Sequence, residues 1–342
     1  MSNPTIKDVA RESNVSIATV SLVIHNNPRI SDETKSRVSK TIKELNYHPD
    51  HSARNLVSRQ TGNIGFILTD DHFLRSEPFY TRIFLGSEFE ARENEFYLLL
   101  TTIDSKFSIS EQLPRFILER NVDGLIIAGK IPNSFISSLD SVKIPIVFID
   151  YLPKKLSNKY SSVLIDNLNG GVTATKHLID YGHKKIAFIG GDIEHPSIKD
   201  RLEGYKKALI DAGIKINENL IITDEDYPAR ENGINAAGKL LKKNKNITAI
   251  FACNDAMAIG IMEYIKSIGL KIPQDISIIG FDDVEEDVSL NPSISTIKVF
   301  KAEMGSEAVK LISKMIKTRS NKNEKKLIPV ELVIRNSTKK FK

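Results

Sequence analysis

From Asn63 onward, the chain alternates short apolar runs with longer stretches in which apolar residues recur at helical spacing. Because the runs are apolar at consecutive positions, they predict strands that are buried on both faces. Strands of this kind, separated by helices, indicate a doubly wound α/β core with parallel sheets. The runs are NIGFILTD (63–70), FYLLLTTID (96–104), VDGLIIAG (122–129), IPIVFID (144–150), SSVLID (161–166), KIAFIGG (185–191), NLIIT (219–223), TAIFACN (248–254) and ISIIGFDD (276–283).

This series of strands can form two sheets, and the polar, lysine-rich stretch 151–162 interrupts the alternation. We therefore place a junction between two lobes there. Ligands of such sheets bind at the carboxyl ends of the strands, so we expect a cleft between the lobes. The acidic residues that end the runs are Asp70, Asp104, Asp150, Asp166 and Asp282.

The first 60 residues have a different pattern, without strands. Thr5 followed by Asp8 predicts a capping box at the start of a helix, and Ser16 and Ser31 predict the caps of two further helices. Asn14 tolerates the left-handed backbone that a tight turn between the first two helices requires. We expect a small all-α domain that contains a helix-turn-helix.

The stretch VSIATVSLVIHN (15–26) is then the second helix of that motif. We expect Val20, Val23 and Ile24 to face inward. Small, apolar and hydroxyl side chains on the opposite face make a poor solvated surface, but they suit the major groove of DNA. The residues of this outer face are Ile17, Ala18, Ser21, Leu22 and His25.

The segment that follows predicts a short helix from Pro49 to Val57. A helix of about ten residues is marginal alone in water, so this one should fold only when it is docked. Leu56, between Arg54 and Arg59, is an apolar wedge among phosphate-binding charges, as in proteins that open a minor-groove step. An ordinary interdomain linker would have a similar sequence.

Composition narrows the class of protein. The 342 residues contain one cysteine, Cys253, which excludes a disulfide framework and a cysteine metal site. The apolar runs are too short to span a bilayer, and the N-terminal residues do not resemble a signal peptide, so we expect a cytoplasmic protein. The nearest approach to a phosphate loop, FIGGD (188–192), lacks the required glycine and lysine spacing. We expect no cofactor, no metal site and no enzymatic activity.

Charge is unevenly distributed. Residues 1–60 contain nine Lys or Arg against six Asp or Glu, and residues 313–342 contain ten against two. Basic ends on a mildly acidic body favour a polyanionic partner. For the C-terminal run, a solvated basic tail is the simpler expectation.

Several stretches together resemble the lactose- and galactose-repressor family of bacterial transcription regulators. They are TIKDVARESNVSIATVSLVIHN, NYHPDHSARNL, DNLNGGVTATKHLIDYGHKKIAFIGG, RLEGYKKAL, AIFACNDAMAIGIM and ISIIGFDD, in the order of the family and over nearly the whole chain. The resemblance implies a homodimer that binds a near-palindromic operator. It also implies a core like that of periplasmic binding proteins, which senses a small molecule, here expected to be a sugar or sugar derivative.

The resemblance also assigns positions. Those implied in DNA binding are Thr5, Ser16, Ile17, Ala18, Thr19, Ser21, Leu22, His25, Asn26, Ser31, Ala53, Arg54 and Leu56. Those implied in effector binding are Phe79, Tyr80, Asp150, Arg201, Tyr227, Asn254 and Asp282. Many members have arginine where this chain has Leu22, so the operator sequence is not predicted.

The expected organisation has three parts. Residues 1–47 form the helix-turn-helix domain, 48–61 a hinge helix and linker, and 62–342 the effector-binding and dimerisation core. Within the core we expect one lobe from about 62–160 plus 293–320, and a second from about 161–292 plus 321–342. A free-standing sugar-binding protein of the periplasmic fold is the alternative, and the DNA-binding head argues against it.

Overall fold

A computed structural model describes residues 4–24, 27–47, 60–73, 79–108, 110–244, 246–320 and 322–341. The chain divides into two compact units, residues 1–61 and 62–342. No helix in these described ranges is long and apolar enough to cross a membrane.

The first unit contains the three helices predicted before the hinge, whereas the predicted helix from Pro49 to Val57 lies outside the described residues. The three are α1 (Ile6–Glu12), α2 (Ile17–Ile24) and α3 (Asp32–Glu44). The carboxylate of Asp8 accepts hydrogen bonds from the backbone N–H of Thr5 at 2.9 Å and from its hydroxyl at 2.7 Å, so the predicted capping box is present. Asn14 adopts the expected left-handed backbone, with φ of 51°. Val20 is fully buried in a core that it shares with Val9 and Val38, which confirms the predicted helix-turn-helix.

The second unit is an α/β core, and each of the predicted strands forms. The strands are β1 (Asn63–Thr69), β2 (Tyr97–Ile103), β3 (Gly124–Ala128), β4 (Ile146–Ile149), β5 (Ser161–Ile165), β6 (Ile186–Gly191), β7 (Ile221–Glu225), β8 (Ala249–Ala252), β9 (Ser277–Ile279), β10 (Thr296–Val299), β11 (Lys325–Ile328) and β12 (Val330–Val333). The last three were not predicted. The strands are short and apolar because most of them are buried on both faces of their sheet.

The helices lie between these strands. They are α4 (Asp70–Phe73), α5 (Phe79–Glu93), α6 (Arg115–Leu118), α7 (Asn133–Ser138), α8 (Asn167–Asp180), α9 (Pro196–Asp211), α10 (Arg230–Lys243), α11 (Asp255–Ser267), α12 (Glu286–Ser289) and α13 (Lys301–Thr318).

The strands form two parallel sheets, one in each lobe. The six-stranded sheet has the order β11-β5-β4-β3-β1-β2, and the four-stranded sheet has the order β7-β6-β8-β9. The remaining strands, β10 and β12, form an antiparallel pair. The predicted doubly wound class is confirmed.

The lobe boundary differs from the prediction. We expected residues 161–292 and 321–342 in the second lobe, but β5 pairs with β4 and β11 pairs with β5, so both strands belong to the first sheet. The polar stretch 151–160 is a connection inside the first lobe, and the chain leaves that lobe only after β5. A strand that is apolar on both faces carries no local signal for the sheet that it will join.

The C-terminal segment is not the expected solvated tail. After β11 and β12, the N–H of Ile278 donates to the carbonyl of Ser337 at 2.8 Å, and the N–H of Phe341 donates to the carbonyl of Tyr181 at 2.7 Å. Ser337 is fully buried. The segment therefore runs along the second lobe as a backbone-bonded strap, with lysines at its surface.

Two glycines let α8 and α9 cross in close contact. A Cβ on Gly204 would lie 2.3 Å from the carbonyl oxygen of Leu168, and one on Gly171 would lie 2.3 Å from the carbonyl oxygen of Arg201. Neither helix can approach this closely with a side chain at the crossing. The crossing fixes the part of α9 that carries Arg201.

Candidate functional site

The head presents the predicted face of α2 to its surroundings. Ile17 and Leu22 are 45% and 37% exposed, which is high for large apolar residues, and Ala18 is also exposed. Ser21 is half-buried. Because Val20 and Val23 occupy the core, the remaining face of the helix is free to enter a DNA groove.

The polar residues predicted for DNA contact hold the helix ends. The hydroxyl of Ser16 accepts the N–H of Thr19 at 3.1 Å, and that of Ser31 accepts the N–H of Thr34 at 3.4 Å. These side chains are thereby fixed at helix N-termini, and the end of α2 at Ser16, with no acidic residue in its first turn, favours phosphate. The predicted residues His25, Asn26, Ala53, Arg54 and Leu56 lie outside the described residues.

A cleft lies in the core at the carboxyl ends of strands from both sheets, and it encloses about 1010 Å³ when its opening to solvent is included. All seven predicted effector residues line it: Phe79, Tyr80, Asp150, Arg201, Tyr227, Asn254 and Asp282. Other lining residues are His72, Lys130, Asp192, His195, Ser197, Ile198, Asp226, Pro228, Cys253, Ala256 and Val284.

Arg201 is a buried cation at the base of this cleft, only 6% exposed. Its Nε donates to Oδ1 of Asn167 at 2.8 Å, and its Nη1 donates to the carbonyl of Cys253 at 2.6 Å. Its guanidinium lies 3.6 Å from the centre of the Phe281 ring, a cation–π contact. Its Nη2 lies 3.5 Å from Oδ1 of Asp282. Arg201 thus joins α8, α9, β8 and the loop after β9.

Asp282 is the acidic partner in that loop. Its backbone φ of 118° is a conformation that L-residues rarely adopt, and strain of this kind is common at binding sites. Its Oδ1 is buried and makes no hydrogen bond to any described residue. Burial raises the pKa of Asp282 to about 7, although the charge of Arg201 opposes this rise. The carboxylate therefore has unused acceptor capacity beside the cleft.

Two further buried acids support the same loop. Asp255 accepts the hydroxyl of Thr296 at 2.6 Å and the N–H of Val284 at 3.2 Å. Asp287 accepts the same N–H at 3.1 Å. Burial raises the pKa of Asp255, and burial together with the neighbouring Asp255 raises the pKa of Asp287 to about 10. With a pKa of about 10, Asp287 holds a proton at neutral pH, so the two buried acids do not both carry a negative charge.

The opposite wall of the cleft belongs to the first lobe. The hydroxyl of Tyr80 donates to Oδ2 of Asp150 at 2.8 Å, so Tyr80 orients this carboxylate. Its ring stacks on His72, with ring centres 4.6 Å apart, and meets the edge of Phe79. Asp150 follows β4 directly, with a left-handed φ of 68°. The first lobe therefore contributes an aromatic surface and an oriented carboxylate.

Asn254 has both a structural contact and a position in the cleft. Its Oδ1 caps α11 by accepting the N–H of Met257 at 2.9 Å, and its Nδ2 donates to the carbonyl of Pro228 at 2.8 Å. The second hydrogen of this amide remains available. Tyr227 precedes Pro228 and is 39% exposed.

Only two of the five run-ending acids line the cleft, Asp150 and Asp282. Asp166 caps α8 by accepting the N–H of Asn169 at 3.2 Å, and Asp104 accepts the N–H of Lys106 at 2.6 Å in a turn. Asp70 is exposed in α4. These three acids end predicted runs without lining the cleft, because a residue that ends a strand can also cap the next helix or turn.

Six charged or titratable lining residues were not predicted as effector contacts: His72, Lys130, Asp192, His195, Asp226 and Cys253. Lys130 and Asp192 follow β3 and β6, so the rule that ligands bind at strand ends could have identified them. They face each other across the cleft at 3.7 Å. His195, whose ring centre lies 5.4 Å from that of Tyr151, and Asp226 carry no sequence signal of this kind.

The cleft therefore combines carboxylates, an amide and a guanidinium with aromatic rings, which are the groups that bind a small polar molecule with several hydroxyls. Together with a helix-turn-helix head, they define a DNA-binding regulator with a ligand-binding core. Residues 5–50 match the model of bacterial regulatory proteins of the lacI family, and residues 175–338 match that of a periplasmic binding protein-like domain.

Individual proteins are similar along the whole chain. The ribose operon repressor of Haemophilus influenzae is 35% identical over 95% of each chain. A transcriptional regulator CelR–cellobiose complex is 28% identical, with a TM-score of 0.73 over 98% of this chain and 99% of that one. A lac repressor dimer bound to operator and the anti-inducer ONPF is 25% identical, with a TM-score of 0.79 over 99% of this chain and 100% of that one.

The chain belongs to the lacI family of bacterial regulatory proteins. It is a DNA-binding transcription regulator and not an enzyme, as the sequence predicted. Operator DNA and a small-molecule effector are the partners of regulators of this family. The alternative of a free-standing binding protein is wrong, because the head matches the family's DNA-binding domain.

Proposed function

We propose that this protein is a cytoplasmic repressor that binds a near-palindromic operator as a homodimer and is controlled by a sugar or sugar derivative in the cleft. One observation carries the proposal. All seven effector residues inferred from the sequence converge on one cleft, in a chain that also has a helix-turn-helix head.

The chemistry of the cleft supports a polyhydroxylated effector. The carboxylates of Asp150 and Asp282 can each accept hydrogen bonds from neighbouring hydroxyls, and the free hydrogens of Arg201 and Asn254 can donate to ring or hydroxyl oxygens. Tyr227 and the aromatic surface around Tyr80 provide apolar contact for a sugar ring. The ribose operon repressor and the cellobiose complex of CelR, named above, support the same class of ligand.

The outer face of α2 carries the DNA-reading role in this proposal. Ile17, Ala18 and Leu22 can contact the methyl groups of thymines, while the exposed Ser16 lies at the start of α2, which has no acidic residue in its first turn and is suited to phosphate. Ile17 is largely outside the core of the head, so Ile17→Ala should leave its fold intact and weaken operator binding by about 1 kcal/mol or more per half-site.

The dimer surface is proposed at the edge of the first sheet. Leu85 and Phe89 lie one turn apart on α5, and Tyr97 and Leu100 lie on the edge strand β2 against which α5 packs. Phe89 and Tyr97 are 58% and 61% exposed. Exposed apolar side chains beside a strand edge that pairs with no second described strand make a surface that a second copy can cover.

The test measures operator affinity by fluorescence anisotropy with and without a panel of neutral sugars and nucleobases, and molar mass by light scattering. We expect a dimer, and we expect at least one sugar to change operator affinity. Arg201→Lys and Asp282→Asn should abolish the response to that sugar, whereas the surface variant Lys207→Ala should keep it. A monomer, or a response only to nucleobases, would refute the corresponding part of the proposal.

A further inference from the structure

The charges that line the cleft are unbalanced. Four carboxylates meet two cations, in the set Lys130, Asp150, Asp192, Arg201, Asp226 and Asp282. Both cations form ion pairs with carboxylates of the cleft, since Lys130 lies 3.7 Å from Asp192 and Arg201 lies 3.5 Å from Asp282. The carboxylate of Asp226 is exposed and forms no ion pair with any described residue. A negative ligand that enters this cleft meets net negative charge.

The helix ends that face the cleft do not offset this charge. The N–H of Ser197, in the first turn of α9, donates to Nδ1 of His195 at 3.3 Å. At α11, Asn254 caps the N–H of Met257, and Asp255 adds a carboxylate in the first turn. Both helix ends already have acceptors from the chain itself, where a phosphate would otherwise bind.

We infer that the effector carries no phosphate or carboxylate group, and that Asp226 at the cleft excludes phosphorylated sugars from a site that accepts their neutral counterparts. This inference rests on the proposed sugar effector and narrows it to uncharged polyols. Asp226 determines which ligands the cleft accepts and is not required for the stability of the fold. A phosphate ester adds about two negative charges, so its repulsion by one nearby carboxylate is appreciable even with partial screening by salt.

The test compares neutral sugars with their phosphate esters on the full chain: ribose and ribose 5-phosphate, glucose and glucose 6-phosphate, fructose and fructose 6-phosphate, and trehalose and trehalose 6-phosphate. Affinity is measured by calorimetry at fixed ionic strength. We expect the best neutral sugar to bind at least about 10-fold more tightly than its ester. Asp226→Asn should narrow this ratio about 5-fold by improving the binding of the ester, and Asp226→Glu should keep the wild-type ratio.

Asp224→Asn is the matched control, because Asp224 is an exposed carboxylate two residues before Asp226, at the end of β7, bound to Lys239 at 3.0 Å and outside the cleft. It should leave the ratio unchanged. An ester that binds as tightly as its neutral sugar, or an Asp226→Asn variant with the wild-type ratio, would overturn the inference while the sugar effector stands. Binding of neither member of any pair would overturn the sugar effector and the inference together.

Discussion

Replacing Arg201 with alanine should weaken the folded protein even when no effector is present. Arg201 bridges Asn167, the carbonyl of Cys253 and the loop at Asp282, and its guanidinium covers the ring of Phe281. The alanine variant leaves two buried acceptors without their donor and leaves the Asp282 carboxylate without its cation.

The expected loss of stability is large. Removing one partner of a buried ion pair costs about 3–5 kcal/mol, because the remaining charge is uncompensated. Protonation of Asp282 reduces this loss of stability, since burial already raises its pKa to about 7 beside Arg201. Without Arg201 its pKa should rise further, so the variant keeps a protonated Asp282 at a higher pH than the wild type.

The pH dependence follows from that rise. A carboxyl with a raised pKa in the folded state binds a proton that the unfolded chain has released, so the stability falls as pH rises through the interval between the two pKa values. In the wild type, this interval for Asp282 ends at about 7, and in the variant it extends higher. The difference between the two proteins should therefore grow above pH 7, by up to about 1.4 kcal/mol per pH unit.

The assay is urea unfolding at about pH 6 and about pH 8, followed by circular dichroism because the chain has no tryptophan. The double variant Arg201→Ala/Asp282→Asn should recover at least half of the stability that Arg201→Ala loses, because it leaves no unpaired buried charge at this position. Lys207→Ala, on the exposed side of α9, is the control and should change stability by less than about 0.5 kcal/mol. If Arg201→Ala behaves like this control at both pH values, the buried-bridge account is wrong.

Two further variants test the buried acid Asp287 and the close helix crossing at Gly204, which hold the cleft residues in place. Asp287→Asn should flatten the pH dependence of the unfolding free energy by up to about 1.4 kcal/mol per pH unit between pH 6 and pH 8, because burial and Asp255 raise the pKa of Asp287 to about 10. Parallel plots of unfolding free energy against pH for the wild type and the variant, measured by urea unfolding, would contradict this. Gly204→Ala should lower the unfolding free energy by about 1–3 kcal/mol and also weaken sugar binding in calorimetry, because the added Cβ would lie 2.3 Å from the carbonyl oxygen of Leu168 and displace Arg201. The control Lys206→Ala should change neither quantity.

Local sequence signals were sufficient for nine of the twelve described strands and for the three described helices of the head. The strands of the core were predicted because their apolar runs are short, continuous and separated by helical patterns, and each run forms a strand. The caps at Thr5, Ser16 and Ser31 act within three residues, so their types and spacing alone predict them. The cleft residues Asp150, Arg201, Asn254 and Asp282 were predicted from the family resemblance, and their places near strand ends or in a helix entry agree with where this fold class binds ligands.

Tertiary structure decided what those elements join and what the site residues touch. Nothing near β5 or β11 in the sequence specifies the first sheet, because strand pairing depends on partners far along the chain. The same holds for the strap from Asn336 to Phe341, for the hydrogen bond between Tyr80 and Asp150, and for the bridge through Arg201. Such contacts form only when distant segments are packed together. Burial in that packed site then raises the pKa of Asp282 to about 7, and no local pattern of residues can specify this shift.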